Sequence, residues 1–196
     1  MRARFYISFL VVITFGVFFY FSPVIVSAWK KSYGFEVQRE LSDDLFEGHD
    51  HKNYKLSDFK GFYIFLYAGY TRCGTICGNS MQTMRKLSTQ TPSNTKFIFL
   101  SIDPEFDKED ILQSYVSRLG EKFVGFRKKK DFSAGLTTDL EIQFSGNSLD
   151  TDRSHTDTIF LIDKAGKLRY IYPSSFRSQK SILEDFYKLE NDKWQN

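Results

Sequence analysis

The sequence predicts an α/β fold in which a mixed central sheet is flanked by helices, preceded by a helix long enough to cross a membrane. Three observations carry this expectation. Short, solidly apolar runs alternate with stretches of helical periodicity. Two late apolar runs are joined by the tight-turn sequence DKAGK. And the chain opens with a long stretch that lacks acidic and basic side chains.

That stretch runs from Phe5 to Trp29. As a helix it would reach about 37 Å, enough for a bilayer. It is apolar on all sides, which argues against a buried core helix. Arg2 and Arg4 precede it, and Lys30 and Lys31 follow. The free amino terminus tips the charge bias towards a cytoplasmic start. Residues 1–29 are therefore expected to be a membrane anchor. The alternative is a cleaved signal segment, because Val26 to Ala28 are small enough to precede a cut. Both place the remainder outside the cytoplasm. The absence of an Arg/Ser-rich transit segment favours a bacterial periplasm over a mitochondrial intermembrane space. Residues 30–48 read as a charged linker, and 49–196 as the folded domain.

Within the domain, YIFLYA (63–68) is short, apolar and aromatic, as a buried strand should be. Met81, Met84 and Leu87 recur at helical spacing, so a helix is expected from about Thr75 to Gln90, broken by TPSN. KFIFLSID is a second strand, stopped at Asp103-Pro104. Ile111, Leu112, Tyr115, Val116 and Leu119 share one helical face, with Gly120 as the stop. KFVGF is a short strand. DFSAGLTTDLEI reads as a helix capped by Asp131, and GNSLDTDRS as a loop. TDTIFLI and LRYIY make the hairpin, and SQKSILEDFYKLEN an amphipathic last helix. The early strand–helix–strand units require parallel strands, and the hairpin adds antiparallel ones. The resulting mixed sheet is the thioredoxin-like arrangement.

Composition narrows the function. Aromatic residues make up 17% of the 196, enough for a large core. The net charge of +3 comes from mixed acids and bases, so a nucleic-acid partner is not expected. The densest basic run, Arg127 to Lys130, reads as a solvated face.

The chemistry concentrates at the two cysteines, Cys73 and Cys77, placed between the first buried strand and the next helix. A structural staple is poorly motivated, because a bridge four residues apart removes little chain entropy. Free N–H groups at a helix start favour a thiolate. A spacing of four brings both side chains to one face, roughly 5–6 Å apart at Cβ. That suits either a shared metal ion or a reversible disulfide, and both remain open. Two thiolates under-fill a metal site. His155, at the mouth of the predicted strand TDTIFLI, is the candidate third ligand, because sheets of this type assemble sites at strand ends. Two thiolates and one imidazole suit Cu(I), or Cu(II) with one more light ligand. Structural zinc would want a fourth protein ligand. His49 and His51 read as part of a polar surface loop. A thiol peroxidase is not expected, because LYAGYTRC lacks the Pro such sites place before the cysteine.

From Leu56 to Leu189 the chain resembles the Sco/SenC copper proteins of cytochrome oxidase assembly. The resemblance rests on LSDFKG, GYTRCGTIC, SIDPEFD and SHTDTIFLIDKAGKL, in that order. It implies a thioredoxin-like fold, copper ligation by Cys73, Cys77 and His155, and a Cys pair that cycles between dithiol and disulfide. It also implies copper delivery to the dinuclear copper centre of a terminal oxidase, or to another copper or thiol protein, or reduction of that centre's cysteines. The thiol–disulfide oxidoreductase role would make Cys73 and Cys77 the catalytic pair. The chain departs from the family pattern at Arg72, Gly74, Thr75, Gly78 and Ser154. Losing the prolines should loosen the loop. Gaining Arg72 and losing two acids should make the site more positive, favouring thiolates and disfavouring a bound cation.

Overall fold

The computed structural model describes residues 31–128, 135–145 and 154–191, together with positions 13, 14 and 16. The chain divides into two units, Met1–Ser32 and Tyr33–Asn196. The expected membrane helix falls almost wholly outside the described residues. Among those residues no helix is long and apolar enough to cross a membrane.

In the second unit the strands are β1 (Phe35–Arg39), β2 (Phe46–Gly48), β3 (Asn53–Tyr54), β4 (Tyr63–Gly69), β5 (Thr95–Ser101), β6 (Phe123–Arg127), β7 (Phe144–Ser145), β8 (Ser154–His155), β9 (Thr158–Ile162) and β10 (Leu168–Pro173). The helices are α1 (Thr75–Ser88), α2 (Glu109–Ser117), α3 (Leu136–Asp139) and α4 (Gln179–Asn191). Eight strands form one sheet in the order β1-β10-β9-β4-β5-β6-β2-β3, while β7 and β8 pair apart from it. β4, β5 and β6 are parallel, with α1 and α2 as crossovers. β9 lies antiparallel to β4, and β10 antiparallel to β9. This is the mixed sheet the element order predicts.

Strand periodicity explains how one sheet serves two cores. Every residue of β4 is buried. Its odd positions Tyr63, Phe65 and Tyr67 enter one core, together with Phe97 and Phe99 of β5. There they meet Met81, Met84 and Leu87 of α1, Leu112 and Val116 of α2, and Phe186 of α4. Even positions Ile64, Leu66 and Ala68 enter the other core, with Ile98 and Leu100. That face is covered by Phe46, by Leu56 and Phe59 of a short 3-10 turn, and by Leu136 of α3. The β9–β10 turn closes on Asp163, whose carboxylate accepts from the N–H groups of Ala165 and Lys167, while Gly166 takes φ +90°. The end of α1 is held by Lys122, whose ammonium donates to the carbonyls of Ser88, Thr91 and Pro92.

Two expectations need correction. The expected linker, 30–48, contains β1 and β2, so the sheet begins inside it. β1 is an edge strand whose residues are exposed or half-buried, so no solid apolar run marks it. It is held instead by pairing with β10 and by the buried carboxylate of Asp185 on α4. That group accepts from the N–H of Tyr33 at 2.9 Å, the N–H of Gly34 at 2.8 Å and the hydroxyl of Tyr172 at 3.3 Å. Gly34 is required there, because a Cβ would lie 2.4 Å from the Tyr172 ring. The helix expected at 131–142 is described as helical only over Leu136–Asp139, and ends where Glu141 takes φ +53°. Its expected cap, Asp131, lies outside the described residues.

Asp185→Ala removes one acceptor from three donors in a buried position. It is expected to destabilise the fold by about 2–4 kcal/mol in urea denaturation. Lys188→Ala, on the same helix, removes an exposed 3.6 Å pair with Glu36 and is expected to cost under about 1 kcal/mol.

Candidate metal centre

The site forms where β4 hands the chain to α1. Gly69 ends β4 in a narrow space: a Cβ there would lie 2.8 Å from the Tyr67 ring and 3.3 Å from the Cys77 sulfur. The following loop is held from beneath by the SIDPEFD segment. Asp107, buried, accepts from the Thr71 N–H at 3.0 Å, from the Thr71 hydroxyl and from the Ser101 hydroxyl at 2.7 Å. Burial raises the Asp107 pKa against the opposing pull of these donors. Asp103, also buried, takes the guanidinium of Arg72 at 2.8 Å. The same guanidinium lies 3.7 Å over the Phe106 ring. Arg72 is therefore paired and stacked, with its charge against a buried carboxylate. Hydrogen bonds to Asp107 anchor the loop at Thr71, two residues before Cys73.

Cys73 is half-buried and Cys77 fully buried, with a disulfide between them and Cα atoms 5.8 Å apart. Gly74 and Gly78 have open space where a Cβ would project, so neither is sterically required.

His155 arrives from the segment that leads into β9. β8 precedes β9, and β9 pairs antiparallel with β4, so the entrance of β9 lies beside the exit of β4. The ring Nε2 lies 3.1 Å from the Cys77 sulfur and 3.6 Å from the Cys73 sulfur. Nδ1 lies 3.1 Å from the Thr156 carbonyl oxygen. A carbonyl only accepts, so Nδ1 carries the proton and, in the neutral ring, Nε2 turns a lone pair to the sulfurs. Tyr67 and Tyr70 meet the ring edge-on at centroid distances of 6.1 and 5.7 Å. Burial, and then the charge of Asp157, push the Tyr67 phenol pKa far above its usual range, so it stays neutral.

The three ligand atoms lie within 4.8 Å of one another, and among the described residues theirs is the one such group of His, Cys, Asp or Glu side chains. The structure thus brings together all three expected ligands. His49 and His51 stay apart from them: His49 Nδ1 accepts from the Gly125 N–H, and His51 stands 3.3 Å from Asp110. The donor chemistry fits a soft ion once the disulfide is reduced. Sequence reading did not assign roles to Asp103 and Asp107. The available signal was a pair of acids just past a buried strand, close in space to whatever follows the parallel neighbour strand.

A model of the SCO1/SenC family matches residues 38–190. The chain belongs to the SCO1/SenC family. A SCO2-like protein of Rickettsia felis is 28% identical over 137 residues, covering 65% of this chain and 65% of that protein. The chain spans between about half and just under two thirds of the length of the curated relatives it matches. Two solved structures show the fold. Arabidopsis thaliana ScoI with copper bound has a TM-score of 0.68 at 16% identity, covering 76% of this chain and 98% of the other. BsSco, described as a Sco-family cytochrome c oxidase assembly protein with a disulfide switch, has a TM-score of 0.64 at 17% identity, covering 82% and 98%.

Arg72→Ala strips a buried carboxylate of its counter-charge. It is expected to cost about 2–4 kcal/mol in denaturant midpoint measurements, with Arg72→Lys recovering only part because the stacking on Phe106 is lost.

Proposed function

We propose that the chain is a membrane-tethered copper chaperone that delivers copper to the dinuclear copper centre of a terminal cytochrome c oxidase. The observation that carries the reading is the convergence of two sulfurs and an imidazole nitrogen whose lone pair faces them. Copper bound to a protein of the same fold, and the oxidase-assembly role of another, support it. Residues 1–29 serve as the anchor, and the copper-binding domain works outside the cytoplasm, in a bacterial periplasm.

The oxidised pair offers a cation no charge. Two electrons and two protons convert the bridge into two thiols, and loss of the protons gives thiolates. The start of α1, with its unpaired N–H groups, favours that loss at Cys77. Cys73, Cys77 and His155 then hold Cu(I), copper being cargo rather than a resident cofactor. Cys73, the half-buried sulfur, is the one an acceptor thiolate reaches first. Transfer is ligand exchange, so the protein is a carrier in this reading rather than an enzyme.

The Cys73–Cys77 bridge itself favours a second reading, a thiol–disulfide oxidoreductase. The Cys73 thiolate attacks a partner disulfide and displaces one partner thiolate. Cys77 then attacks the Cys73 sulfur, releasing the second thiolate and re-forming the bridge. Two electrons pass from this chain to the partner.

His155 separates the two. In the reduced protein, His155→Ala is expected to lower Cu(I) affinity at least about tenfold in competition with a chromogenic chelator. Dithiol exchange rates should stay within about twofold. Affinity should rise with pH, because ligation releases thiol protons. Unchanged affinity in His155→Ala would remove the three-ligand site and leave the oxidoreductase.

A further inference from the structure

His155 stands on a strand that the main sheet does not hold. β8 has two residues and pairs with β7 alone, so backbone pairing to the core begins only at Thr158. The link between them carries Asp157, a residue unused by the ligand set. Its carboxylate accepts from Ser80 Oγ at 2.6 Å and from Arg177 Nη2 at 2.9 Å. Arg177 Nη2 also donates to the Asp157 carbonyl at 2.9 Å, and Nη1 to the carbonyls of Tyr172 and Pro173 at 2.7 and 2.6 Å. Its Nε donates to Ser80 Oγ at 3.2 Å. Ser80 is fully buried and sits three residues after Cys77 on α1. Arg177 and Asp157 are mostly buried. The junction therefore ties the cysteine helix, the last strand of the hairpin and the segment just after His155 into one knot.

We propose that Ser80, Asp157 and Arg177 are positioning residues that lock His155 against the cysteines, fixing its ring orientation before any metal arrives. The inference rests on the copper reading for its affinity consequences, but not for its consequences in the metal-free protein. A charge-assisted Arg–carboxylate hydrogen bond whose guanidinium also collects backbone carbonyls is a geometrically specific element. Anchored to the helix through Ser80, it registers Cys77 and His155 to each other directly. In this way it stands in for the sheet contacts that β8 lacks.

The test uses Asp157→Ala, the near-isosteric Asp157→Asn, and Ser80→Ala, which leaves the ion pair in place. In the oxidised, metal-free protein, ring 15N shifts of His155 should report a single Nδ1–H tautomer. Asp157→Ala should shift it towards the mixture of a free imidazole, and Asp157→Asn should recover most of it by keeping an acceptor for Ser80. In the reduced protein, Asp157→Ala should lower Cu(I) affinity about tenfold or more. On a His155→Ala background it should change affinity less than about twofold, because it acts through that ring. Thermal unfolding midpoints are followed throughout. Loss of stability with an unaltered tautomer would overturn the inference, as would an additive affinity loss on the His155→Ala background. If Asp157→Ala does not fold, Ser80→Ala carries the same two readouts. Should His155→Ala bind Cu(I) normally, the copper reading fails, and the tautomer measurement alone decides the latch.

Discussion

The site depends on the antiparallel pairing of β9 with β4. Tyr67 stands opposite Ile159 in that register. Six residues beyond Tyr67 comes Cys73, and four residues before Ile159 comes His155. Antiparallel strands put the exit of one beside the entrance of the other, so groups 82 residues apart in sequence meet at one rim of the sheet. Had β9 run parallel to β4, as β5 does, His155 would lie at the opposite edge. The pairing is secure because both strands are fully buried.

Around this meeting point the protein places two polar supports on opposite sides. Asp103 and Asp107, from the end of β5, hold the cysteine loop. Asp157 and Arg177, from the entrance of β9 and the exit of β10, hold the histidine. Each support buries a carboxylate, and each satisfies that carboxylate with several donors, the condition under which buried charge is tolerated. The ring of His155 sits between them against Tyr67 and Tyr70. With the Cys73–Cys77 bridge formed, the imidazole nitrogen is aimed at the sulfurs.

What could be read from the sequence follows burial. β4, β5 and β9 are solid apolar runs, and α1, α2 and α4 show helical periodicity because one face of each is in the core. The order of those elements was enough for the sheet, and the strand-end rule was enough to bring His155 to the cysteines. Edge elements were not legible. β1 is a five-residue edge strand that exposes Phe35, and β2, β3, β7 and β8 are two or three residues long. The pairing of Arg72 was not legible for a similar reason. Its partner Asp103 is 31 residues away and joins it only through the parallel β4–β5 pairing. Ser80 and Arg177 gave no local signal, since each acts through a residue on another element.

The central claim is that one metal ion meets both sulfurs and the imidazole at this rim. X-ray absorption at the copper edge of the reduced, copper-loaded chain tests it most directly. The expected spectrum has two sulfur scatterers and one nitrogen scatterer, with the outer-shell signature of a histidine ring. A first shell of sulfur alone, or of nitrogen and oxygen alone, would contradict it.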